Sequence, residues 1–124
     1  MKYEVFKADS IEEYFSEEGC FIQEVSNSNK DAHLSIAKAT VKPGEKTEPH
    51  RLINITERYV VISGKGIMNI EDNFFKVEPG DVVLIPPGAI QSIHNNEDFD
   101  LIFYCICTPR FVQSSYERVN DNRD

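Results

Sequence analysis

The chain has 124 residues, 40% of them hydrophobic and 27% charged, which fits one globular domain and argues against both wholesale disorder and a membrane protein. Thirteen Lys and Arg against 21 Asp and Glu give a formal charge of -8, which repels phosphate backbones and anionic lipid and so predicts no nucleic-acid or membrane partner. Three cysteines with no C-x-x-C, and an opening MKYEVFKADS with no apolar leader, predict a cytoplasmic protein with free thiols.

In chain order, Ser10-Ile11-Glu12-Glu13 has the spacing of a reciprocal N-terminal cap and predicts one short N-terminal helix running toward Ser16 and ending at Gly19. Strands rich in Val, Ile, Phe and Tyr are then expected at 20–25, 33–41, 57–62, 66–70, 74–77, 81–85, 91–94 and 101–108. Turn signals separate them at Pro43-Gly44, Ser63-Gly64-Lys65-Gly66, Pro79-Gly80, Pro86-Pro87-Gly88 and Asn95-Asn96. About eight short strands at this spacing predict an all-β sandwich, barrel or jelly roll. The chain is thus divided into an N-terminal helix and strand over 1–30, a barrel over 31–112 and a polar tail over 113–124.

Two stretches carry residues with chemistry. In the strand after His50, a period of two places Glu57, Tyr59, Val61 and Ser63 on one face and Arg58, Val60 and Ile62 on the other. If the first face is interior, Glu57 needs a metal, a cationic partner or a proton, because an uncompensated buried carboxylate costs several kcal/mol. An inward Gln91 needs hydrogen-bond partners for the same reason. Between Leu34 and Val41, Ser35, Ala37 and Ala39 form a face of small side chains that leaves volume for a ligand if it points inward. Leu34 and Ile36 on its reverse then want a cover, and a homodimer through the N-terminal strands supplies one.

These residues resemble the cupins. The first cupin motif, G-x5-H-x-H-x3,4-E-x6-G, falls on Gly44, His50, Leu52, Glu57 and Gly64, and the second, G-x5-P-x-G-x2-H-x3-N, on Gly80, Pro86, Gly88, Gln91 and Asn95. Every spacing is kept, and two ligand positions are replaced, by Leu52 and Gln91. The resemblance implies a cupin double-stranded β-helix, a ligand pocket inside the barrel and a dimer. It also implies a site for a divalent transition metal (Fe, Mn, Ni or Zn) on His50, Glu57 and Gln91. That site is weakened by the replacements, since an amide oxygen is a poorer donor than imidazole and leucine is none.

The leading expectation is a small-molecule-binding cupin with a degenerate metal site. Its competitor is a metal-dependent dioxygenase, lyase or isomerase on His50, Glu57 and Gln91, with Tyr59 as the catalytic proton donor. A metal-free His50–Glu57 pair able to act as a general base, and a purely structural barrel, stand beside these. Arg51 is read as pointing away from the cavity, His33 and His94 as surface or strand-end residues, and Cys105 and Cys107 as buried apolar groups on one strand face.

Overall fold

The computed structural model describes residues 1–119. Among them, eleven strands run in the order β1 (Tyr14–Phe15), β2 (Phe21–Ser26), β3 (Ser35–Val41), β4 (His50–Leu52), β5 (Thr56–Ser63), β6 (Gly66–Ile70), β7 (Asn73–Val77), β8 (Val82–Ile85), β9 (Gln91–His94), β10 (Leu101–Thr108) and β11 (Tyr116–Arg118). They form two antiparallel sheets, β1-β2-β3-β10-β5-β8 and β11-β4-β9-β6-β7, the double-stranded β-helix expected from the motifs. No helix among the described residues is long and apolar enough to cross a membrane.

The expected N-terminal helix is corrected. The helix predicted from Ser10 is replaced by a single 3-10 turn over Ala8–Ser10, in which Ser10 Oγ donates to the Lys7 carbonyl at 2.7 Å and caps no helix. Tyr14 and Phe15 instead pair with Ile22 and Phe21, and the Phe15 ring sits edge-on to Phe21 at 5.1 Å. A helix of so few residues cannot recover its nucleation cost, whereas a strand edge and an aromatic contact are at hand. The polar tail is also partly structured: Gln113–Ser115 make a 3-10 turn, and β11 pairs with β4, Tyr116 opposite Leu52 and Arg118 opposite His50. Positions 120–124 of that tail lie outside the described residues.

Two neighbouring strands of the larger sheet, β10 and β3, grade in side-chain size toward the same end of the barrel. Along β10 the inward residues run Leu101, Phe103, Cys105, Cys107; the register sets Cys105 against Ala37 and Tyr59, and Cys107 against Ser35 and Glu57. On β3 the matching inward series is Val41, Ala39, Ala37, Ser35, so the small face does point inward. Bulky apolar groups, Val61, Met68, Ile93, Leu101 and Phe103 among them, therefore fill one end. Small and polar groups leave the other end open. Leu34 and Ile36, expected to stand exposed, are half-buried.

The motif framework has local physical reasons. Gly64 turns β5 into β6 at φ +80° while lying against Asp100 and Leu101. Asn95 is fully buried: its amide donates to the carbonyls of Val41 (2.9 Å) and Phe99 (2.7 Å), and its Oδ1 accepts from the Glu97 N–H. The amide thereby ties three chain segments together after β9.

Candidate functional site

The open end of the barrel encloses a cavity of about 70 Å³ whose lining includes Ser35, Ala37, His50, Leu52, Glu57, Cys105 and Cys107. Both candidate ionisable groups are thus on its wall, His50 2% and Glu57 7% exposed. They arrive from opposite sheets, Glu57 on β5 and His50 on β4, where His50 is in register with Gln91 of β9.

A hydrogen-bond chain crosses the interior between the sheets. Tyr59 Oη donates to Gln91 Oε1 at 2.8 Å, and Gln91 Nε2 donates to Glu57 Oε1 at 2.9 Å. The other carboxyl oxygen of Glu57 has the Cys107 thiol at 3.8 Å. Burial dominates the carboxyl and pushes its pKa up to about 7; neighbouring Glu18 adds to the rise, while His50 and the hydrogen bonds from Gln91 and Cys107 oppose it. Burial, reinforced by Glu57, also holds the Tyr59 phenol and the Cys105 and Cys107 thiols above their ordinary values, so these remain protonated. The thiols line the cavity as neutral groups and not as nucleophiles.

His50 is fixed on three sides. Its Nδ1 donates to the Glu48 carbonyl at 2.8 Å, which leaves Nε2 facing Glu18 Oε2 at 3.3 Å. Its ring stacks on Tyr116 with centroids 5.1 Å apart and planes 23° apart. Sequence reasoning misses both Glu18 and Tyr116. Glu18 sits in a turn where the cap spacing predicts helix, and its charge has no periodic signature. Tyr116 carries one usable signal, a lone aromatic in an otherwise polar stretch, with Glu117 and Arg118 alternating beyond it as in a strand.

Arg51 points outward, as expected, to Glu117 of β11. His33 is exposed, His94 is half-buried, and neither lines the cavity. Tyr59 and Gln91 are buried behind Glu57 and also do not line it. The phenol of Tyr59, engaged with Gln91, holds the amide that in turn holds Glu57, which makes it a positioning residue. Tyr59→Phe is expected to lower stability by about 1–2 kcal/mol, the cost of leaving a buried amide oxygen unpaired, in urea unfolding monitored by circular dichroism.

The donor set does not suit the metal that the cupin motifs imply. Leu52 occupies the second histidine position on the cavity wall and has no donor atom. Gln91 turns an N–H toward Glu57, and its oxygen toward Tyr59, so it presents no lone pair where His50 and Glu57 face the cavity. Among the described residues no group of three or more His, Cys, Asp or Glu is placed to hold an ion. This arrangement does not fit a divalent transition metal.

Comparison with known proteins places the chain. Residues 37–107 match the sequence profile of the Cupin domain family. An uncharacterised protein of Methanocaldococcus jannaschii is 31% identical over 111 residues, covering 88% of this chain and 89% of that one. Among solved structures, Pac13, described as a unique nucleoside dehydratase, superposes with a TM-score of 0.79 at 16% identity, over 97% of this chain and 92% of its own. A Streptomyces Pac13 variant with uridine gives 0.81 at 14% identity, over 97% and 93%. KdgF from Halomonas sp. gives 0.76 at 18% identity, over 87% and 96%. At these identities the structural likenesses establish the fold alone.

Proposed function

The chain belongs to the cupin domain family, and on that premise we propose that its barrel binds a small molecule against a His50–Glu57 acid–base pair that works without a metal. The observation that carries this reading is the buried Glu57 carboxyl, raised to about 7, on the same cavity wall as His50. A carboxyl poised near neutrality exchanges its proton readily at working pH, which general acid–base catalysis requires. With Nδ1 committed to the Glu48 carbonyl, Nε2 is the exchangeable site of His50, and Glu18 faces it at 3.3 Å. Such a pair suits proton removal beside a carbonyl, or loss of a hydroxyl as water, so the reaction class is an isomerisation or a dehydration. Pac13, a nucleoside dehydratase by its description, is a barrel of this shape with a chemistry of that kind. An open cavity also favours binding over a purely structural barrel, whose interior would be filled.

Tyr59 and Gln91 act behind the pair. They hold Glu57 through Oε1 and leave Oε2, beside Cys107, as the oxygen that exchanges its proton with a ligand. The competing reading is a metal-dependent enzyme with His50, Glu57 and Gln91 as ligands, and one experiment separates the two. Protein in excess EDTA is melted with a panel of neutral and cationic metabolites, uridine included. At least one compound is expected to raise Tm in EDTA, since a ligand at 100 times its Kd adds about 2.7 kcal/mol. Stabilisation that appears only after Fe, Mn, Ni or Zn is restored would establish the metal-dependent reading instead.

A further inference from the structure

The cavity is lopsided in charge. Glu17, Glu18, Glu24 and Glu57 all line it, whereas among the described residues no lysine or arginine does, and His50 is its one basic group. Glu18 faces His50 Nε2 at 3.3 Å, and the other three carboxyl groups have neutral partners among the described residues. Glu17 accepts from the Gln113 amide at 2.9 Å, Glu24 from the Asn27 amide at 3.2 Å, and Glu57 from Gln91. Arg110 comes close but stays outside, donating to Asn27 Oδ1 at 2.8 Å and Asn29 Oδ1 at 3.2 Å. Among the described residues, Glu17 and Glu18 have no guanidinium or ammonium partner.

Two independent features of the same wall point to a group that offsets this charge. Tyr14, Phe111 and Tyr116 supply aromatic rings, whose faces attract cations. Tyr116 belongs to the cavity wall and its ring stacks on His50, and among the described residues its buried phenol oxygen has no hydrogen-bond partner. A buried hydroxyl left unpaired is costly, and a ligand N–H directed at its lone pairs removes that cost. After burial itself, Glu18 and Glu17 are what raise the Tyr116 phenol, to about 12, so both carboxylates act on the point where that oxygen sits.

Resting on the small-molecule reading above, we propose that the ligand is an organic cation whose protonated amine head sits between Glu17, Glu18 and the Tyr116 hydroxyl. Size agrees: about 70 Å³ is under half of the roughly 150 Å³ that holds a benzene ring, room for a head group with the rest of the molecule toward the opening. The acidic lining also excludes phosphorylated and carboxylated compounds, which would add like charge to a partly dry site.

A matched series tests this: n-butylammonium, 1-butanol and butyrate, titrated at equal ionic strength while the backbone amide resonances of His50, Leu52 and Tyr116 are followed by NMR. n-Butylammonium is expected to shift these amides with at least tenfold tighter binding than 1-butanol, and butyrate to leave them in place. Glu17→Gln is expected to shrink that preference at least threefold. Equal affinity for the amine and the alcohol, or preference for butyrate, would overturn the cationic assignment and leave the ligand-binding reading standing. If none of the three moves these resonances at millimolar concentration, the cationic assignment falls, and the ligand-binding reading is decided by the melting panel in EDTA.

Discussion

Glu57→Gln is expected to make the protein more stable above neutral pH, by about 3 kcal/mol, and to leave stability below pH 4.5 nearly unchanged. The folded-state pKa of Glu57 is raised, from an ordinary 4.5 to about 7, so the folded chain holds this proton more tightly than the unfolded chain does. Stability linked to the group is therefore complete below about pH 4.5, is lost as pH rises toward 7, and stays lost above it. At 1.36 kcal/mol per unit the loss comes to about 3 kcal/mol, a large share of the 5–15 kcal/mol typical of a domain. The amide is close in shape to a protonated carboxyl and keeps an acceptor for Gln91 Nε2, so the substitution removes the titration without opening a cavity. Urea unfolding of both proteins from pH 4 to 9 checks this, because subtracting the two curves cancels every other titrating group. A difference that stays flat with pH would mean that the carboxylate is as comfortable in the barrel as in water. A fold that retains so costly a group at a cavity wall has the usual mark of a site where stability yields to function.

Gly64→Ala is expected to cost at least 3 kcal/mol and to lower Tm by 10 °C or more. At φ +80° any side chain is strained, by about 1–2 kcal/mol. Here a Cβ would also lie 2.2 Å from the Asp100 carbonyl oxygen and 2.9 Å from the Leu101 Cα, both backbone atoms that cannot rotate away. Gly80 is the control: its φ of +96° carries similar strain, yet among the described residues nothing stands within 4 Å of its Cβ position, so Gly80→Ala is expected to cost only about 1–2 kcal/mol. Denaturant midpoints for the two variants separate the terms. Equal losses would show that backbone conformation alone explains both motif glycines.

The framework is legible in the sequence because its residues act locally. Turn glycines, the alternation along β5 and the small face of β3 each follow from chain neighbours, and together they place the barrel and its open end. His50 and Glu57 are legible for the same reason, through fixed spacing in one motif. Their surroundings are not. Glu18 and Tyr116 reach His50 from opposite ends of the chain, through the turn after β1 and the pairing of β11, and neither contact leaves a period or spacing to read. The roles of Gln91 and Tyr59 are obscured differently. Their inward direction is predictable from strand phase, but which of the two amide atoms of Gln91 meets Glu57 depends on a hydroxyl that approaches across the barrel. That orientation turns a candidate metal ligand into a hydrogen-bond donor. The N-terminal helix fails because a cap signature says nothing of helix length, and two residues of strand pairing outcompete it.

The assignment of Glu57 as a near-neutral, metal-independent proton-exchanging carboxyl is tested most directly by its side-chain carboxyl 13C resonance, followed from pH 3 to 9 with and without one equivalent of Zn2+. A midpoint near pH 7 that zinc does not move is the expected result; a midpoint in the ordinary carboxylate range, or one that drops when zinc is added, would contradict it.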